Sequence, residues 1–205
     1  MKIEVNKLLE FYENKKVGIR KFIRTCDMKD DECLFGELCF CILTPQSRAR
    51  NCREVVDKLK ADKKLFTADL EEIRNYLKRV RFPERKAVYI IEARKKLPEI
   101  KRRINGDPKE FREWLIENIR GIGLKESSHF MRNVGFKGLT IIDVHIQNFL
   151  RRIGYNEKGS GSLTKKQYIE LENKFLRLSK ELKIPPEELD IAIWLYQSGE
   201  KEFYG

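Results

Sequence analysis

The chain has 205 residues, of which 43 are Lys or Arg and 32 are Asp or Glu, leaving a formal charge of +11. That length allows one domain or two small ones with a real core, and 41% apolar residues beside 37% charged exclude a disordered chain. The longest apolar run, LCFCILT at 38–44, is too short to span a membrane, and the positive excess favours a polyanionic partner, most simply a nucleic acid.

The first residues, MKIEVNKLLEFYENKK, are charged and contain no apolar segment of the kind a secretory signal needs, so a cytoplasmic protein is expected. Lys and Glu enrichment of this kind also suits a heat-adapted surface. Five cysteines, Cys26, Cys33, Cys39, Cys41 and Cys52, fall in the first quarter with no C-x-x-C pair. Their spacing supplies no zinc or iron–sulfur ligand set, so reduced core thiols and no metal are expected. DECLFGELCFCILTP carries Leu34, Leu38, Cys41 and Ile42 at helical spacing and stops at Pro45. DLEEIRNYLKRV at 69–80 repeats the pattern with Leu70, Ile73 and Leu77, and PERKAVYIIEARKKL follows. DPKEFREWLIENI starts with Asp107 as cap and Pro108 at the first helical position.

That last helix runs into Gly121-Ile122-Gly123, and a second begins at Lys125 and stops near Gly135. Two helices joined by G-I-G form a tight hairpin over 108–135. Glycines there can take positive φ and leave backbone N–H groups uncovered at a helix N-terminus, an anion site suited to a DNA phosphate. Carbonyls on the other side of such a hairpin could hold a monovalent cation. Lys125 is the odd residue, because the positive end of a helix disfavours an ammonium and should lower its pKa. A lysine so placed either contacts a phosphate or acts as a nucleophile that forms Schiff bases, and its own context leaves the two even.

Eighteen residues on, TIIDVHIQNFLRRIG places Asp143 as a helix cap and Gly154 as a stop. A carboxylate held ionised there could also stabilise positive charge developing on a sugar and help deprotonate an amine. Of the two histidines, His129 and His145, the latter reads as a packing residue without metal-ligand partners. YNEKGSGSL at 155–163 is a flexible linker. TKKQ opens a helix with a capping box and puts Tyr168, Leu171, Phe175, Leu178 and Leu182 on one face. IPPEELDIAIWLYQSG is the last helix, ended by Gly199. No strand pattern and no repeat appear, so the fold class is all-α.

GIGLKESSHFMRNVG followed by TIIDVHI resembles the helix–hairpin–helix DNA glycosylases. ELCFCILT at 37–44, RFPERKAVYIIEAR at 81–94 and LDIAIWLY at 189–196 are similar to the archaeal-type 8-oxoguanine DNA glycosylase/AP lyases. The likeness runs from about residue 33 to 196. It implies two helical lobes, 28–135 with the hairpin and 1–27 plus 136–205, with duplex DNA across the cleft and the damaged nucleotide flipped out. It implies Lys125 as the nucleophile at C1′ and Asp143 as its assistant, with strand cleavage by β-elimination and no cofactor. By the same resemblance Phe82 and Trp194 sandwich the flipped base, Asp190 contacts it, and Gly121 and Gly123 hold the backbone; a monomer suffices. Taken without the resemblance, Trp194 is a core anchor.

Two departures stand out. Relatives commonly carry Ala-Asn after CILT, whereas this chain has Pro45-Gln46-Ser47-Arg48, so Gln46 resembles a wedge that fills the hole left by the flipped base. Relatives end in a lysine that helps form the pocket for the oxidised guanine, whereas this chain ends GEKEFYG, with Lys201 nearest and Gly205 last. An oxidised pyrimidine is therefore an alternative substrate. A non-catalytic DNA-holding module is the alternative from another class.

Overall fold

Every residue from Leu34 to Leu43 is buried in the helix Asp31–Leu43 (α2), Glu37 included. A helix with no exposed stripe must be wrapped by others, and α2 is the centre of one of two units into which the chain divides. The computed structural model describes residues 2–23, 26–155 and 161–199. Linker residues 156–160 and the tail with Lys201 and Gly205 lie outside the described residues.

The first unit takes residues 26–134. Asp30 caps α2 by accepting from the Glu32 N–H at 2.9 Å. Around α2 pack the helix Ala49–Ala61 (α3), the helix Pro83–Arg103 (α5) and the helix Leu124–Asn133 (α7). Phe35 and Phe40 are fully buried, each contributing about 1.5–3 kcal/mol by leaving water. The helix Leu70–Tyr76 (α4) opens with a reciprocal capping box between Asp69 and Glu72. The single helix expected over 69–80 in fact tightens into a 3₁₀ turn at Leu77–Arg79. α5 runs past Leu97 and through Pro98 to Arg103. The helix Pro108–Asn118 (α6) pairs with α7 across the hairpin.

Cys39, Cys41 and Cys52 are buried free thiols, and burial pushes Cys52 up to about 11. The expectation of five reduced thiols is corrected at Cys26 and Cys33, which form a disulfide across the turn before α2 with Cα atoms 5.7 Å apart. The turn brings together two residues seven positions apart, a proximity that spacing rules for metal ligands do not address.

The second unit takes residues 2–23 and 135–199 of those described. Its centre is the helix Pro186–Ser198 (α10), against which lie Lys2–Ile23 (α1), Val144–Arg152 (α8) and Lys165–Leu182 (α9). Thr164 and Gln167 form the capping box at the start of α9. Glu188 ties α10 to α1, accepting from the Tyr12 hydroxyl at 2.5 Å and from Arg20 Nε at 3.0 Å. The described residues hold ten α-helices and no strand, and no described helix is long and apolar enough to cross a membrane.

Candidate active site

The hairpin is built from its two glycines outward. Asp107 caps α6 by accepting from the N–H groups of Lys109 and Glu110, at 2.9 and 3.0 Å. Ile119 leaves the helix in an extended conformation, and Gly121 turns the chain at φ 85°. Gly121 also lets Tyr89 of α5 approach closely: a Cβ there would lie 2.7 Å from the ring. Gly123 is different, since it caps α7 in an extended conformation (φ −110°, ψ −165°) open to any residue.

Glycine has no side chain with which to cap a helix, and Glu126 makes only the other half of a capping box. Its Oε2 accepts from the Gly123 N–H at 3.2 Å, and its Oε1 lies 3.0 Å from Lys125 Nζ. One carboxylate thus satisfies an orphan amide and balances the lysine that the helix dipole opposes. Lys125 keeps 33% of its side chain exposed, while Glu126 keeps 13%. Glu126 is a site residue not singled out from the sequence, although an acidic residue three places after a cap is a known signal.

The rest of α7 is anchored firmly. Phe130 and Met131 are fully buried. Asn133 donates to Glu37 Oε2 at 2.8 Å, and Glu37 also takes the Arg53 guanidinium in two bonds of 2.7 and 2.9 Å. Burial alone would raise the Glu37 carboxyl, but Arg53 and Asn133 outweigh it and hold it below the usual range. Arg132 Nη2 donates to the Asn133 amide oxygen at 2.9 Å, and His129 packs edge-on against Phe40.

Two exposed turns of the same unit carry Gln46 and Phe82. Both are non-glycine residues in the left-handed region, at φ 57° and 59°. Ser47 joins the turns, its Oγ accepting from the Arg81 N–H at 3.1 Å. Phe82 opens α5 with 46% of its surface exposed, and the Arg81 guanidinium lies 5.6 Å from its ring centre.

In the other unit Asp143 caps α8, with Oδ1 accepting from the Ile146 N–H at 2.9 Å. The segment leading to it is held by Tyr168 of α9, whose hydroxyl accepts from Ile142 N and donates to Thr140 O. From its spacing Tyr168 is expected only to pack, and its hydroxyl bonds are a further role. Asp190 and Trp194 stand one turn apart on α10, the first buried and the second half-buried. His145 is half-buried beside Asp143 in α8. Lys125, Gly121, Gly123, Gln46 and Phe82 therefore belong to one unit, and Asp143, Asp190 and Trp194 to the other.

The family model for 8-oxoguanine DNA glycosylase matches residues 15–184, most of the chain. The chain belongs to the 8-oxoguanine DNA glycosylase family. Among curated members of this family, the 8-oxoguanine DNA glycosylase/AP lyase of Korarchaeum cryptofilum is 34% identical, covering 97% of this chain and 93% of its own. The Saccharolobus solfataricus enzyme of the same name is 39% identical over 91% of this chain and 95% of its own. In structure the chain is similar to the Thermotoga maritima 8-oxoguanine DNA glycosylase, with a TM-score of 0.86, 29% identity and 97% of each chain covered. It is equally similar to the Methanocaldococcus jannaschii 8-oxoguanine glycosylase/lyase solved with a 15mer DNA containing 8-oxoguanine, with a TM-score of 0.86, 32% identity and coverage of 96% and 100%.

Proposed function

We propose that this glycosylase-family chain excises 8-oxoguanine from duplex DNA and then cuts the strand as an AP lyase. Lys125 is the nucleophile. Its neutral amine attacks C1′ of the flipped nucleotide as the N-glycosidic bond breaks, and the base leaves with the amine's proton. The C1′–O4′ bond then opens, O4′ taking up a proton, which leaves a C1′=N bond to the lysine. The resulting Schiff base acidifies C2′, so loss of that proton breaks the C3′–O bond on the 3′ side of the lesion. Water then frees the lysine, and no cofactor enters the cycle.

The observation that carries this reading is Lys125 itself, a part-exposed lysine at a helix start with its ammonium held by Glu126. Asp143, fixed by its cap bond, stabilises the oxocarbenium-like transition state. Phe82 and Trp194 stack on the flipped base and Asp190 contacts it. Gln46 fills the space the base leaves, and the hairpin turn at Gly121 and Gly123 lies against the DNA backbone. Hairpin carbonyls hold a monovalent cation. The chain comprises two helical lobes, 28–135 and 1–27 plus 136–205, and works as a monomer in the cytoplasm.

The test is release of free base, read by mass spectrometry, from duplexes carrying 8-oxoguanine or an oxidised pyrimidine. Release of 8-oxoguanine followed by 3′-side incision supports the reading. Release of the pyrimidine alone would move the substrate assignment. Binding without any release would make the chain a DNA-holding module.

A further inference from the structure

Lys86 lies in the second turn of α5 and is 4% exposed. Burying an ammonium is costly unless its protons find partners. Here all three do: Nζ donates to Leu43 O and Pro45 O at 2.7 Å each and to Ser47 Oγ at 3.0 Å. Only the charged form has three protons to give. Leu43 is the last residue of α2, where unpaired carbonyls and the negative end of the helix dipole favour a cation. Burial pushes the Lys86 amine down, and Lys125 and Arg81 push it further.

The three acceptors all belong to the turn 43–47, which carries Gln46. The other exposed turn leads directly into Lys86's helix: the Lys86 backbone N–H makes the first helical bond of α5, to Phe82 O at 3.1 Å, as any non-proline residue there would. Ser47 Oγ closes the circuit by accepting from the Arg81 N–H as well. Gln46 and Phe82 sit in a backbone conformation that side chains disfavour, and such residues persist only where their surroundings over-determine them. Lys86 and Ser47 are those surroundings.

We propose that Lys86 is a positioning residue, its buried ammonium locking the turns of Gln46 and Arg81–Phe82 into one rigid rim that drives base extrusion. The role rests on the glycosylase reading above. Lys86 touches no DNA in this scheme and acts through the two turns. Extrusion of a paired base is the step that a loosened rim slows, while Schiff-base chemistry at an abasic site has no base to extrude.

The test is single-turnover kinetics with Lys86→Met and Ser47→Ala on two duplexes, one with 8-oxoguanine opposite cytosine and one with a preformed abasic site. Lys86→Met should slow excision of the paired lesion by roughly tenfold or more, a modest share of the extrusion energy, with strand cutting at the abasic site nearly unchanged. Ser47→Ala, which removes one acceptor and no charge, should give a smaller loss with the same selectivity, and it stands alone if Lys86→Met does not fold. Equal losses on both duplexes, or no loss on either, would overturn the role. A wild-type enzyme inactive on both duplexes would instead overturn the glycosylase reading and this role with it.

Discussion

Replacing Gly121 with alanine adds one methyl group and meets two obstacles. The first is conformational: at φ 85° an L residue is strained by about 1–2 kcal/mol. The second is steric, because the new Cβ would lie 2.7 Å from Tyr89 Cδ2 and 3.2 Å from Cε2. Overpacking of that kind costs about 1–3 kcal/mol. A shift of the ring would also disturb its contact with the Arg120 guanidinium, 4.9 Å from its centre. The sum is about 2–5 kcal/mol, a large part of a domain's stability. Gly123→Ala provides the control. Its backbone is extended, and its Cβ would meet only the flexible Glu126 carboxylate at 3.2 Å. The loss there is about 1 kcal/mol or less, mostly from a poorer helix cap. Urea unfolding of both variants measures the difference, and affinity for undamaged duplex reports the hairpin's phosphate hold. Equal destabilisation by the two alanines would refute the reasoning.

Asp143→Asn should separate capping from catalysis: asparagine caps as well as aspartate, so stability should stay within about 0.5 kcal/mol. Loss of the carboxylate should slow base release about 10²–10³-fold in single-turnover assays. Glu37→Gln should cost about 3 kcal/mol at neutral pH in urea unfolding, because it weakens the partner of a mostly buried guanidinium. Since the Glu37 carboxyl is held low in the fold, its contribution is full above the ordinary carboxylate range and is lost as pH falls through the folded value. The variant should accordingly show a flatter acid limb. Tyr12, raised to about 12 by burial and by Glu188, contributes stability that is full below its ordinary value near 10 and lost as pH rises toward 12. Tyr12→Phe should remove that alkaline component from a pH series of thermal melts.

The hairpin was legible because G-I-G followed by a lysine breaks two local rules at once, and local rules are what a sequence displays. Asp143 was legible as a cap for the same reason. Glu126 was not, because its value lies in one carboxylate meeting two groups, an amide and an ammonium, and that takes coordinates. Lys86 in PERKAV reads as an ordinary helix-surface lysine until Leu43, Pro45 and Ser47 are brought around it from about forty residues away. α1 left a faint signal: Leu8, Tyr12 and Ile19 are its buried apolar residues among those described, while Ile3 and Val17 stand 72% and 78% exposed. α3 was within reach, since Cys52, Val55, Val56 and Leu59 are spaced for one helical face. Pro45 and the charged run around that face masked it.

The central claim is that Lys125 forms a covalent bond with the sugar of the damaged nucleotide. Sodium borohydride trapping tests it directly, with wild type and Lys125→Gln each incubated with an 8-oxoguanine duplex and the products resolved by denaturing electrophoresis and mass spectrometry. A reduced protein–DNA adduct mapped to Lys125 is expected in the wild type and none in the variant. Base release without a trapped adduct, or an adduct that survives in Lys125→Gln, would contradict it.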